Sequence, residues 1–265
     1  MKFDHNNISP LDSRYANKIP EFRKNFSEYS LIKIRFDIEI DWLIFLCTKL
    51  PKSFKPISKQ SIKKLELFKN DFNDKYVLQI KKIEATTNHD VKAVEYFIRD
   101  HFNKDKILSG YTHLIHFGLT SEDINSLSYA YLVKNGIKLF ANEVSIINKT
   151  LKSYSSKWSK ISFLARTHGQ PASPSTIGKE LKVFSSRIDR EIKTLKTIKP
   201  LAKFSGATGN FHTFDIVDNK LNWPTINKKF IHQFGIEQNL YTTQIEPHDW
   251  IAEVSHSIVR INNIL

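Results

Sequence analysis

Three short stretches gather hydroxyls, amides and imidazoles where helical patterning begins. They are Asn88-His89-Asp90 in IEATTNHDVKAVEYFIRDHF, Thr120-Ser121 in HFGLTSEDINSLSYAYLV, and the RTHGQP run of RTHGQPASPSTIGKE, which contains His168. A helix start leaves backbone N–H groups unpaired and carries the positive end of the helix dipole, so polar side chains collected there can receive carboxylates or phosphates. An imidazole beside such a site adds proton transfer near neutral pH. Each stretch also has a plain structural reading. Thr120 with Asp123 three positions on is a capping-box variant, and Asn88 and Asp90 suit a cap and a first turn, with His89 at the surface. GATGN can be a turn that needs positive φ, and Arg14-Tyr15 in SPLDSRY a loop before the first helix. His113 and His116 stand three apart, but no carboxylate or cysteine follows at ligand spacing, so they read as a structural pair and no metal or other cofactor is expected. GxSxG, P-loop and GxGxxG patterns are absent, which removes support for serine-hydrolase, P-loop and Rossmann chemistry.

The elements that must carry these residues are helices. Between Ser27 and Leu50 the stripe Ile32, Phe36, Ile40, Leu43, widened by Ile34 and Ile38, predicts a buried helix. Val91, Val94, Ile98 and Phe102 place another after Asn88. From 136 to 160, Ile137, Phe140, Val144, Ile147, Leu151, Tyr154 and Trp158 alternate steps of three and four, the seam of a bundle. A further helix is predicted from Ser173 as cap and Pro174 in the first turn, burying Ile177, Leu181, Phe184, Ile188, Ile192 and Leu195 up to Pro200. The last starts near Pro247, and its stripe Val254, Ile258, Ile261, Leu265 is still in step at the final residue, as if cut within an element. The expected class is all-α, an N-terminal helical domain over 1–110 and part of a long-helix bundle over 111–265.

Composition narrows the function. The 265 residues hold 40 Lys+Arg against 27 Asp+Glu, a formal net charge of +13, which would suit a polyanionic partner. The lysines are scattered, however, and the densest run, residues 49–84, mixes them with acids and apolar residues at helical spacing, as a solvated helix face does. No zinc-finger, RNP-type or basic-zipper pattern accompanies them, so nucleic acid is not an expected partner. Cys47 is the single cysteine, which excludes an internal disulfide and fits a reducing cytoplasm. MKFDHNN lacks the apolar run of a signal peptide and WLIFLC is too short to span a bilayer, so no membrane partner is expected.

In order along the chain, SPLDSRY, TTNHDVKAVEY, HFGLTSEDIN, RTHGQPASPSTIGKE, GATGN and YTTQIEPHD resemble the adenylosuccinate lyase family of the bacterial purine pathway, within the fumarase and aspartase superfamily. SPLDSRY departs slightly, since glycine is more usual before the arginine. The resemblance implies an all-helical homotetramer that releases fumarate from adenylosuccinate, giving AMP, and from the succinyl-carboxamide ribotide SAICAR, giving AICAR. It also implies roles. His168 would be the general acid; Thr120, Ser121 and Gln244 would hold the succinyl carboxylates; Asn88, His89 and Asp90 would orient substrate; Arg14 and Tyr15 would meet the phosphate end. The family's base, a serine on a mobile glycine-rich loop with an SSxMPxKxNP-like pattern, has no counterpart in these residues. Little turnover is therefore expected of the chain alone. A non-catalytic helical relic that binds nucleotide or assembles is the alternative.

Overall fold

The computed structural model describes residues 8–265. The polar leader MKFDHNN, read above as no signal peptide, lies outside them. Ten α-helices and four short strands follow a 3₁₀ turn at Pro10–Asp12. By compactness the described chain forms two units, one of residues up to Val133 together with Pro200–Pro247, the other of Lys134–Lys199 with His248–Leu265. The expected division between 1–110 and 111–265 falls within the first unit.

In the first unit α1 (Pro20–Phe26) leads into α2 (Glu28–Lys49), which Ser27 caps by accepting from the Ser30 N–H. The apolar stripe of α2 is buried as its spacing predicts, and α1, α3 (Lys59–Asn70), α4 (Asp74–Thr87) and α5 (Asp90–Asn103) pack against it. The lysine-rich stretch is indeed two helices whose cations find acids: Lys64 meets Asp105 at 2.6 Å and Lys81 meets Glu28 at 2.7 Å. Trp42 on α2 is the hub of the core. Its ring lies 5.1 Å from Phe204 and 4.9 Å from Phe230, and its N–H donates to the Phe117 carbonyl at 2.9 Å. One buried side chain thus ties α2 to the turn before Thr120, to the segment after Pro200 and to α9 (Trp223–Gln233). The short helix α8 (His212–Val217) adds Phe214 to the same cluster, and β3 (Leu201–Ala202) pairs in parallel with β4 (Glu237–Gln238).

The helices expected after Thr120 and from Gly136 are a single element, α6 (Ser121–Lys157), 37 residues and about 55 Å long. Nothing in the sequence between them breaks a helix, and Gly136 is tolerated in its interior. The buried positions of its later part are Ile137, Ala141, Val144, Asn148 and Ser155, whereas Ile147 and Tyr154, placed on the seam by the spacing, are exposed. Polar Asn148 is buried because its amide donates to Asp189 at 2.7 Å on α7 (Ile177–Thr197).

RTHGQP is the main correction. It is not a helix start but the turn of an antiparallel hairpin, β1 (Ser162–Thr167) with β2 (Gln170–Thr176). His168 and Gly169, at φ 52° and 76°, form a two-residue turn with both central residues left-handed, the geometry whose twist matches the flanking strands. Ser173 and Pro174 lie in β2, and Thr176 caps α7 by accepting from the Lys179 N–H. On α7 the residues Ile188, Ile192 and Leu195 are buried as expected, while Ile177 and Phe184 are exposed. The last helix, α10 (Asp249–Asn262), packs on α7; of the expected stripe Val254 and Ile261 are buried, while Ser257 and Ile264 are buried in place of Ile258 and Leu265, and Leu265 is exposed.

Gly178 sets how closely α6 and α7 approach. A Cβ there would lie 2.3 Å from the Ser155 carbonyl oxygen and 2.6 Å from the Ser159 Cα, and the Ser155 hydroxyl already donates to the Gly178 carbonyl at 2.7 Å. Gly178→Ala should gain up to about 1 kcal/mol of helix propensity and lose about 1–3 kcal/mol to overpacking against backbone. The net expectation is a lower urea midpoint; an unchanged or raised midpoint would show that the two helices do not touch there.

Candidate functional site

The first unit brings several of the expected site residues together. Asn88 closes α4 in the left-handed conformation at φ 50°, so the chain turns directly into α5. His89 caps α5 with its ring: Nδ1 accepts from the Lys92 N–H at 3.2 Å. The neutral ring therefore carries its proton on Nε2, which faces the Ser121 hydroxyl of α6 at 3.4 Å. Asp90 is fixed by the Arg35 guanidinium at 2.8 Å and by the Val91 N–H at 2.8 Å. Burial alone would raise its pKa, but Arg35 and that N–H outweigh it and hold the carboxyl below its ordinary range. His89 and Ser121 keep their polar edges exposed.

Thr120 is the entry to α6, and its backbone N–H donates to Asp123 Oδ2 at 2.8 Å, the return arm of the capping box read from the sequence. The 240s loop lies against the same corner. The Glu246 N–H donates to Glu122 at 3.3 Å, and the Thr242 hydroxyl sits 3.5 Å from that of Ser205. Gly209, at φ 80°, is required here, because a Cβ would come 2.1 Å from the Thr242 carbonyl oxygen. Gln244 is exposed in this loop, which with Gly209 and Asn210 borders a cavity of about 360 Å³.

The remaining expected residues belong to other segments. Arg14 lies over the Tyr15 ring at 5.4 Å and Lys18 lies 5.7 Å from it, a basic and exposed loop of the first unit. His168 belongs to the second unit, exposed at the hairpin turn, with Arg166 donating to the Gly169 carbonyl at 3.1 Å. Cys47 is buried, and burial pushes its thiol up to about 11, so it is a packing residue rather than a nucleophile.

Sequence reasoning missed a buried charge ladder beneath Asp90. His116 has carboxylates on both ring nitrogens: Glu39 of α2 at 2.6 Å from Nδ1, and Glu95 of α5 at 3.5 Å from Nε2, with Lys92 on the other side of Glu95 at 2.8 Å. The spacing of His113 and His116 suggested no acidic partner, because the partners come from other helices. With His116 protonated, Arg35, Lys92 and His116 balance Asp90, Glu39 and Glu95. Burial alone would lower the imidazole's pKa, but Glu39 and then Glu95 outweigh it, against Lys92, and leave it raised. The legible signal was Arg35 and Glu39, one turn apart inside an otherwise apolar helix face. Among the described residues no cluster of three or more His, Cys, Asp or Glu side chains is arranged to hold a metal ion, and no helix is long and apolar enough to cross a membrane.

A family model described as lyase matches residues 13–265. The chain belongs to this lyase family. Adenylosuccinate lyases from Buchnera aphidicola subsp. Schizaphis graminum and Escherichia coli K12 are 42% and 38% identical to it over 97% of its length, and the Legionella pneumophila strain Corby enzyme is 40% identical over 98%. The chain spans 57%, 57% and 58% of these three relatives. Among solved structures, a fumarate lyase from Mesorhizobium sp. BNC1 aligns over 92% of this chain and 54% of its own, with a TM-score of 0.72 at 16% identity. A β-carboxy-cis,cis-muconate cycloisomerase from Acinetobacter calcoaceticus sp. ADP1 aligns over 95% and 57%, also at 0.72, with 17% identity. At those identities the likeness establishes a shared, mostly helical fold.

The ladder sets a pH dependence. A histidine whose folded pKa lies above its unfolded value stabilises the fold fully below about 6.5, and that contribution is lost as pH rises through the folded pKa. His116→Gln should therefore cost about 3–5 kcal/mol below that pH, the scale of breaking a buried pair. The gap to the parent protein should narrow on the alkaline side. Denaturant melts of both proteins across neutral pH check this; a gap that widens with pH would show the imidazole to be neutral.

Proposed function

We propose that the chain carries the substrate-binding part of an adenylosuccinate lyase, which eliminates fumarate from adenylosuccinate to give AMP and from SAICAR to give AICAR. The observation that carries the reading is the meeting of His89 and Ser121 above the anchored Asp90, in a chain about 40% identical to adenylosuccinate lyases over nearly all its length. Both substrates bear a phosphate and two carboxylates, anions that the Thr120-Ser121 helix start would receive.

In the elimination a base takes a proton next to a carboxylate while an acid protonates the departing nitrogen, and negative charge gathers on that carboxylate. Thr120, Ser121 and Gln244 would hold the succinyl carboxylates, and each fixed donor at the developing charge would contribute about 3 kcal/mol. Asn88, His89 and Asp90 would orient the substrate, Arg14 and Tyr15 would meet its phosphate, and His168 would be the general acid, worth roughly 10²–10⁴-fold. His168 suits that role in being exposed on a turn whose backbone is fixed by the hairpin. No serine-loop pattern of the SSxMPxKxNP type occurs in the sequence to supply the base. We place the protein in the cytoplasm and expect it to act as a homotetramer. The assembly is supported by the exposed Ile147 and Tyr154 on α6 and Ile177 and Phe184 on α7, an apolar surface that a bundle partner would cover.

Calorimetric titration of the purified chain with adenylosuccinate should show binding, weakened at least tenfold by Ser121→Ala and His89→Ala, with little AMP or fumarate released. Absence of binding to the unmodified chain sinks the assignment of the site. Brisk turnover would show that these residues supply a base of their own.

A further inference from the structure

Asp123 is fully buried and every acceptor position of its carboxylate is used. Oδ1 takes the Lys203 ammonium at 2.6 Å and the Ser205 N–H at 2.9 Å; Oδ2 takes the Thr120 N–H at 2.8 Å and the Gly206 N–H at 3.1 Å. Lys203 is fully buried as well, and its ammonium makes a second bond to the Gly206 carbonyl at 2.6 Å. One turn along α6, Ser126 holds both main-chain groups of Lys203, its hydroxyl donating to the carbonyl at 2.9 Å and accepting from the N–H at 3.1 Å. An ordinary capping carboxylate sits at the surface and binds one or two N–H groups of its own helix. This one has been drawn inside and given a counter-ion from a segment 80 residues away.

A buried ion pair is a weak source of stability, because taking both charges out of water costs about what their attraction returns, and apolar replacements of like volume often fold as well or better. Its geometry is another matter. One ammonium and three N–H donors converging on one carboxylate, with the ammonium also bound to the Gly206 carbonyl, leave the helix start no freedom to slide relative to the 203–206 segment. That segment leads directly into Gly209, which the 240s loop carrying Gln244 touches.

We propose that Asp123 and Lys203 are positioning residues, a buried latch that sets the Thr120-Ser121 helix start and the Ser205-Gly206 loop in the relative register the anion site needs. The inference rests on the site assignment above, and the latch itself is a claim about geometry that can be tested without substrate.

Three variants separate positioning from stability: Asp123→Asn, Lys203→Met, and the two together. Asp123→Asn leaves an ammonium buried without its counter-ion and should melt well below the parent. The double variant removes both charges and should regain most of the melting temperature. If the pair only supported the fold, adenylosuccinate affinity would return with it; a latch predicts affinity still at least tenfold weaker than the parent in the double variant. Amide hydrogen exchange supplies the second measurement: in the double variant Thr120, Ser205 and Gly206 should exchange at least tenfold faster as a group, with α5 unchanged. Parent-like exchange at these three amides, or parent-like affinity, overturns the proposal. Should the unmodified chain bind no adenylosuccinate, the site assignment fails while the exchange measurement still decides the latch.

Discussion

A carboxylate taken out of water must be given donors, and in the first unit of this chain that demand governs where the loops lie. Asp123, Glu39 and Glu95 are all at most 1% exposed. Left unpaired, each would cost several kcal/mol, enough to consume much of a domain's net stability. Asp123 is satisfied by backbone from two places far apart in sequence and by Lys203, whereas Glu39 and Glu95 share His116 as counter-charge, with Lys92 donating to Glu95, and each keeps one oxygen without a hydrogen-bond partner. The polar surface above is held by these buried bonds, as a rigid layer supports exposed groups that must keep their directions.

The apolar core works toward the same end by different means. Trp42 packs edge-on against Phe204 and Phe230 while its indole N–H takes the Phe117 carbonyl. The non-directional part of that contact brings α2, α9 and the post-200 segment together. The hydrogen bond then fixes the turn at 117, three residues before Thr120. Aromatic packing gathers these elements and hydrogen bonds set their register, so the helix start at Ser121 is positioned from both sides.

In the second unit the exposed apolar residues of α6 and α7 are as informative as the buried ones. The heptad spacing of α6 is real, yet the face that packs inside the unit is that of Ile137, Ala141, Val144, Asn148 and Ser155, and Ile147 and Tyr154 look outward. A helix with apolar residues on two faces is built to be covered on both. The close approach at Gly178 uses the first of these faces.

What the sequence determined by itself was local. The α2 stripe had to be buried, and Asp123 at the third position after Thr120 was bound to return a hydrogen bond, because these features depend on residues within one or two turns of each other. RTHGQP was misread as a helix start for a related reason: Pro174 and Ser173 satisfy helix-start chemistry locally, while the hairpin is decided by the pairing of Arg166 with Pro171 and of Ser162 with Thr176. Tertiary structure alone decided that His89 would face Ser121, that His116 would lie between Glu39 and Glu95, and that Lys203 would find Asp123. Those partners are 32, 77, 21 and 80 positions apart. No periodicity encodes such a meeting, since it depends on how whole helices pack and on buried charge having nowhere else to go.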